Sequence, residues 1–349
     1  MLRTGQKPTI YDIARISGSS PSTVSSVLNG TWKTRRIREE TAQRIHEVAA
    51  AHGYATNMQA RGLRKARSGL VGMILPVHDN RFFSSLSQHF AAEARNRGLC
   101  PVIVSTRREP QEEMRSVESL LSYAVDSLFI AGATAPEALS TLCHNANLPH
   151  VFIDLPSAQS PSVVSDNAMG AQMLARSILD AMPAVQDPER AKPYLLGGDG
   201  RLYASGHRIA AFRREVIARN GVVGDDQIIA CGYTPARAAA EIERLVERIG
   251  GLPAGLFVNS IPAFEGALSY LVHLAPEAFS QSVIGCYDYD PFGAFLQFPV
   301  FMVRQNSKEL IRKAYALLDT GTSGPALEMV APELVPPRTL PAGMLSEGG

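Results

Sequence analysis

Between Leu70 and Gln305 the chain repeats one alternation ten times: a short apolar run, then a polar stretch often of helical length. The runs are LVGMILPV (70–77), CPVIVS (100–105), DSLFIAG (126–132), HVFIDL (150–155) and SVVSD (162–166). They continue with PYLLGG (193–198), QIIACG (227–232), AGLFVN (254–259), QSVIGCYD (281–288) and VFMVRQ (300–305). Near-continuous apolar runs mark strands buried on both faces, and the helical segments between them, such as 83–97 and 235–249, supply crossovers. The chain is therefore restricted to parallel sheets covered by helices. Ten strands suit two sheets better than one, so the expectation is an α/β body of two doubly wound parallel-sheet subdomains.

Ligands of open parallel sheets bind beyond the carboxyl ends of the strands. The residues there are Asp79, Phe82 and Phe83, Asp166, 197–201, Tyr233, Asn259 and Asp288, polar or aromatic after apolar runs. A cleft so lined takes a small molecule. Each residue also has a structural reading: Arg208 paired with a carboxylate, Tyr233 in the core, Asp166 capping the helix that starts at 167–169.

The first 67 residues have a different character. They hold 12 of the 34 Lys and Arg but 4 of the 33 Asp and Glu, a net +8, which leaves −7 for the remainder. A basic module of this kind is the electrostatic footprint of a nucleic-acid binder. Its pattern is helical. Ile10, Ile13, Ala14 and Ser17 share a face, Thr9 and Asp12 form a capping box, and Gly18 is a left-handed stop. Ser20 then caps a second helix with Pro21 at its first position and Val24, Val27 and Leu28 as its stripe, ending at Asn29-Gly30. A third carries Ala42, Ile45, Val48 and Ala49 and stops at Gly53. Two short helices about three residues apart make a helix-turn-helix. The hydroxyls of SSPSTVSSVLNG (19–30) then have a use as short donors to phosphates and base edges.

TIYDIARISGSSPSTVSSVLNG (9–30) and GYATNMQARGL (53–63) resemble the lactose-repressor (LacI) family of transcription regulators, and the likeness runs to about residue 340. The longer spacing from Asn29-Gly30 to Thr41, with PQEEMRSVESLL and FLQFPVFMV, resembles the fructose-repressor, or catabolite repressor/activator, branch. The resemblance implies an all-α DNA-binding head at 1–56, a hinge at 57–67 and a periplasmic-binding-protein-like body at 68–349. The chain would cross between subdomains near 166, 296 and 328. It implies that Thr9, Ser20, Thr23, Ser25 and Asn29 hold phosphates and that Pro21, Ser22 and Ser26 face the bases. Ser26 stands where the family usually has Arg, Arg38 where it has an N-cap Ser, and Thr56 where it has Pro. From Asn57 onward a hinge helix would form on DNA, with Leu63 wedged between base steps and Arg61, Arg64, Lys65 and Arg67 at phosphates.

In the body, DNRFF resembles the family's NPFF loop, placing Phe82 and Phe83 in the cleft with Arg81 replacing proline. SGHRIAAFRRE resembles the effector-arginine motif, making Arg208 the anchor; Tyr233 matches a stacking aromatic, and Asp166, Asn259 and Asp288 match hydrogen-bonding positions. Carboxylates, an amide, a guanidinium and an aromatic ring suit a polyol. Arg201 and His207 beside Arg208 would favour a phosphate on it, while Asp166 and Asp288 would oppose one.

The expected function is a repressor in which a sugar or sugar-phosphate effector changes the grip of a homodimer, or larger assembly, on a palindromic operator. The rivals are a sugar-binding protein and a sugar-active enzyme. GGDGRLYASG lacks the spacing of a dinucleotide fingerprint, and four scattered cysteines without CxxC give neither a zinc site nor a disulfide framework. No cofactor, metal or catalytic residue is expected. No apolar run approaches the roughly 20 residues that cross a bilayer, and MLRTGQKPTI lacks a signal's apolar stretch, so the expected location is the cytoplasm.

Overall fold

The computed structural model describes residues 8–54 and 67–338, and the chain divides into two compact units, 1–68 and 69–349. Asn57, Arg61, Leu63 and Arg64, the hinge residues singled out above, lie outside the described residues.

The first unit contains α1 (Ile10–Ser17), α2 (Pro21–Leu28) and α3 (Glu39–Ala51). The capping box forms: Asp12 donates its amide to Thr9 Oγ1 at 3.3 Å, and Thr9 returns its own to Asp12 Oδ2 at 3.0 Å. Gly18, at φ 63°, turns the chain out of α1, and Ser20 Oγ accepts from the Thr23 amide at 3.1 Å to start α2. A serine or threonine cap of this kind contributes ~1 kcal/mol. The three stripes meet in one core, built on Ile13, Val24, Val27, Ala42, Ile45 and Ala49. Arg38 precedes α3 without a side-chain cap, and Glu39 and Glu40 instead place negative charge at the positive end of the helix.

The second unit holds two six-stranded sheets. The first runs in the order β11-β5-β4-β3-β1-β2 and is parallel throughout, with β1 (Leu70–Leu75), β2 (Cys100–Ser105), β3 (Ser127–Ala131), β4 (His150–Ile153), β5 (Pro161–Ser165) and β11 (Ala326–Val330). The second has the order β12-β10-β9-β8-β6-β7, from β6 (Pro193–Leu196), β7 (Ile228–Ile229), β8 (Gly255–Val258), β9 (Val283–Tyr287), β10 (Val300–Arg304) and β12 (Glu333–Val335). Only β12 runs antiparallel, against β10. Helices α4 (Arg81–Asn96), α5 (Pro110–Ser122), α6 (Pro136–Asn145), α7 (Asn167–Ala181), α8 (Tyr203–Asn220), α9 (Pro235–Ile249), α10 (Ile261–Leu271) and α11 (Ser307–Asp319) cover the faces. Among the described residues, no helix is long and apolar enough to cross a membrane.

Each of the ten apolar runs contains a strand, but QIIACG keeps only two strand residues because Gly232, at φ 84°, bends away to meet Gly198. Strands β11 and β12 were not expected: they are edge strands in which Glu328 and Glu333 break the apolar pattern. The chain passes between sheets at Asp166, again between Arg304 and Ser307, and finally between Val330 and Glu333. The expected crossing near 296 is therefore corrected: residues 300–304 are still a strand of the second sheet, and α11 is the next element, packed on α4, β4 and β5 of the first. Residue 328 lies in β11, whose end at Val330 begins the third crossing.

Candidate functional site

In the head, Pro21 and Ser22 are exposed on α2, and Thr23, Ser25 and Asn29 are half-buried beside them. Ser20 Oγ lies 2.8 Å from both Ser22 Oγ and Thr23 Oγ1, so one hydroxyl chain runs along the start of the helix. Thr9 spends its hydroxyl proton on Asp12 Oδ2, 2.7 Å away. Asn29 Nδ2 donates to the Ser25 carbonyl at 2.7 Å, and its Oδ1 is buried without a partner. Ser26 must be withdrawn from the base-facing set. It is 6% exposed, and its hydroxyl bonds back to the Ser22 carbonyl at 2.8 Å. A long side chain could leave that position for solvent; serine is too short, and back-bonding uses its donor.

In the body, the carboxyl ends of both sheets face a cleft of about 780 Å³. One wall follows the first sheet: Phe82 and Phe83 at the start of α4, Arg108 after β2 and Asp154 after β4. The other follows the second sheet: Arg208 on α8, Tyr233 after β7 and Asp288 after β9. Asn80 caps α4 by accepting from the Phe82 and Phe83 amides at 3.0 and 3.4 Å, which fixes the two rings edge-to-face. Arg108 stands between the lobes, its guanidinium 5.8 Å from the Phe83 ring and 5.5 Å from the Tyr233 ring.

Arg208 is 3% exposed. Its Nε donates to Asn167 Oδ1 at 2.9 Å, its Nη1 to the Asn259 carbonyl at 2.8 Å, and the guanidinium lies 3.6 Å from the centre of the Tyr287 ring. Asn167 in turn donates to the Ser165 carbonyl, Ser165 Oγ donates to Gln305 Oε1 at 2.5 Å, and Gln305 Nε2 donates to Asp288. Asn167 and Gln305 belong to the first two chain crossings. The buried cation and its facing carboxylate are thus rooted in the segments about which the lobes would turn.

The carboxyls pay for their burial. Burial pushes Asp154 up to about 6 against the pull of Arg108 and Arg208, and it raises Asp288 in the same way, opposed mainly by Arg208. Asp154 gains stability from its neutral form below its unfolded pKa and loses it as pH rises towards 6, a penalty of about 3 kcal/mol above that range. The residue also sits at φ 74°, a conformation that asparagine tolerates. Asp154→Asn is therefore expected to raise the melting temperature by several degrees at pH 8 and by little at pH 4; calorimetry at both values checks this.

At the mouth of the cleft Arg81 Nε meets Asp290 Oδ2 at 2.7 Å, from opposite lobes. The arginine is half exposed, so the pair contributes less than about 1 kcal/mol. A double-mutant cycle with Arg81→Met and Asp290→Asn should show that coupling in the affinity of the cleft's ligand, roughly two- to fivefold; additive losses would assign the pair no part in closure.

Of the seven residues expected in the cleft, Phe82, Phe83, Arg208, Tyr233 and Asp288 line it. Two do not. Asp166 caps α7, accepting from the Met169 amide at 2.8 Å. Asn259 is fully buried behind the Gly197-Gly198 turn, its Oδ1 without a partner. Sequence reasoning missed Asp154, Arg108, Asn167 and Gln305. Asp154 lay within a strand-like run, HVFIDL, whose last polar residue was the available signal. Among the described residues, no group of three or more His, Cys, Asp or Glu could hold a metal.

A helix-turn-helix head and a two-lobed α/β body with a polar cleft, in one chain, define a regulator of the helix-turn-helix class. The family model for bacterial regulatory proteins of the lacI family matches residues 9–57. The ribitol operon repressor of Klebsiella aerogenes is 46% identical over 193 residues, 55% of this chain and 71% of that one. The catabolite repressor/activator of Escherichia coli is 27% identical over 314 residues, 88% and 90% of the two chains. The lac repressor dimer bound to operator and the anti-inducer ONPF superposes with a TM-score of 0.77 at 19% identity, over 95% of this chain and 98% of that one. This chain belongs to the LacI family of bacterial regulatory proteins.

Proposed function

We propose that the protein is a repressor that binds a palindromic operator as a homodimer and releases or tightens its grip when a sugar-like effector closes the cleft. The observation that carries this reading is the continuous network Asp288–Gln305–Ser165–Asn167–Arg208. An effector that engages Arg208 and Asp288 touches both chain crossings, so its binding energy depends on the angle between the lobes. A ligand shifts such an equilibrium by its differential affinity for the two states. Pro21 and Ser22 would read bases, with Thr9, Ser20, Thr23, Ser25 and Asn29 at phosphates, and the segment from Asn57 would bring Leu63 to the minor groove and Arg61 and Arg64 to phosphates. The protein acts by binding, in the cytoplasm, without cofactor or turnover. The relative named for a ribitol operon supports an effector of the polyol kind.

The test uses the full chain and a duplex selected by it from a randomised pool. Anisotropy titrations with and without pentitols, sugars and their phosphates should find one compound that changes operator affinity five- to 150-fold, and operator should change that compound's affinity by the same factor. Equal binding to every duplex, whatever compound is present, would overturn the reading.

A further inference from the structure

The cleft's charge bears on which polyhydroxyl compound it accepts. The carboxylates facing it are Asp79, Asp154, Glu265, Asp288 and Asp290. Against these five stand Arg81, Arg108 and Arg208, with His78; among the described residues no lysine lines this cleft, and Arg304 and Lys308 line the adjoining pocket that shares Arg81 and Asp288 with it. The three arginines are also less available than their number suggests. Arg81 is held by Asp290. Arg208 has given Nε and one Nη1 proton to Asn167 and Asn259, so of its five N–H donors only the Nη1/Nη2 edge remains for a ligand. Arg108 alone has neither an ion pair nor a hydrogen bond among the described residues.

Two further cations that could have served an anion lie elsewhere. Arg201 is 90% exposed and bound to Asp199 through two nitrogens, at 3.0 and 2.6 Å. His207 is exposed, with Nδ1 against the Tyr203 carbonyl at 2.8 Å. Neither lines the cleft.

Of the helix N-termini at the cleft, the other common phosphate cradle, those of α4 and α10 are occupied, while α8 and α9 begin without a side-chain cap. Asn80 takes the first amides of α4, and Ser260 takes the Ala263 amide of α10 at 3.4 Å. The Ile261 amide faces the Asp288 carboxylate, while Pro262 and Pro235 have no amide hydrogen to offer. Glu265 registers the resulting field: burial and the Asp290 and Asp79 carboxylates hold its carboxyl above the usual range.

We propose that the effector is an uncharged polyhydroxyl compound, a sugar alcohol or free sugar, and that the site rejects its phosphorylated counterpart. This rests on the reading of the cleft as an effector site and narrows its ligand class. Asp154 and Asp288 accept from hydroxyls, the remaining nitrogen of Arg208 and the Arg108 guanidinium donate, and Phe82 and Tyr233 cover carbon faces. A phosphate, carrying about −1.5 to −2 charge at pH 7, would meet an excess of carboxylates against the Arg108 guanidinium and the one free edge of Arg208.

Calorimetric titration of the full chain with ribitol, arabinitol, xylitol and ribose, and with ribitol 5-phosphate, ribose 5-phosphate and inorganic phosphate, separates the classes. At least one uncharged compound should saturate the protein, with its phosphate bound 100-fold or more weakly. Glu265→Lys should narrow that ratio by at least tenfold. A phosphorylated compound that binds as tightly as its parent would overturn the proposal, and so would the failure of every compound of both classes. Sequence-selective DNA binding by the same preparation would then leave the regulator reading standing.

Discussion

Arg208→Ala is expected to remove the effector response altogether and to cost the body several kcal/mol of stability. The side chain is buried, so truncation strands the Asn167 and Asn259 acceptors and leaves Asp288 and Asp154 facing a cavity. Removing one partner of a buried charge group costs about 3–5 kcal/mol. The carboxyls can relieve part of that by taking up protons. Both already have raised pKa values, and Arg208 is one of the groups holding them down. Without it they rise further, so the stabilisation that comes from the neutral carboxyls persists to higher pH but is lost once they ionise. The variant's deficit should therefore be larger at pH 8 than at pH 5. Thermal unfolding at the two values reads this sign, and effector titration should show affinity down at least 100-fold. Arg208→Lys keeps the charge but cannot bond Asn167 and Asn259 in the same fork; it should recover part of the stability and little of the response. A normal dose response in either variant would remove Arg208 from the site.

The difference between Arg208 and Asp154 shows what the sequence disclosed. Arg208 stood in a run resembling a family motif, whereas Asp154 carried only the weak mark of a polar residue near the end of an apolar strand run. Its role comes from φ 74° and from two arginines, 46 and 54 residues away along the chain, which only the tertiary fold brings together. Local physics was legible: the Thr9–Asp12 box, the Gly18 stop and the Ser20–Pro21 start depend on neighbours within four residues. Buried parallel strands were legible because apolar runs of that length have few other uses. Edge strands β11 and β12 were not, since each has one paired side and tolerates charge. Ser26 departs from its expected place and Asp166 follows its structural reading as a helix cap for a common reason. Both are small polar residues beside the expected site, and each makes a hydrogen bond with the backbone three or four residues away.

The second large effect concerns the longer spacer after α2. That helix has no charged residue, and with Ser26 turned inward it has no long side chain on its reading face either. Charge arrives immediately afterwards, at Lys33, Arg35, Arg36 and Arg38, all exposed and without a carboxylate partner among the described residues. The segment has a defined shape. Thr31 bonds the Ser26 carbonyl through its amide at 2.9 Å and its hydroxyl at 3.2 Å, Ile37 bonds the Trp32 carbonyl at 3.0 Å, and the Trp32 and Ile37 side chains both pack on the head's core. Four cations are thereby presented from a closed turn adjoining the recognition helix. If they meet phosphates, each contact removes counterions from the duplex and steepens the salt dependence by roughly 0.9 in the slope of log K against log salt. Replacing Lys33, Arg35 and Arg38 with Gln, and Arg36, at φ 54°, with Asn, should flatten that slope by roughly 3–4 per head. Affinity at a fixed salt concentration should fall by orders of magnitude for selected and random duplexes alike, with their ratio little changed, because phosphate contacts carry no sequence information. An unchanged slope would mean that these cations face solvent in the complex, and that the grip of the head on DNA comes from α2 and the segment after Tyr54 alone.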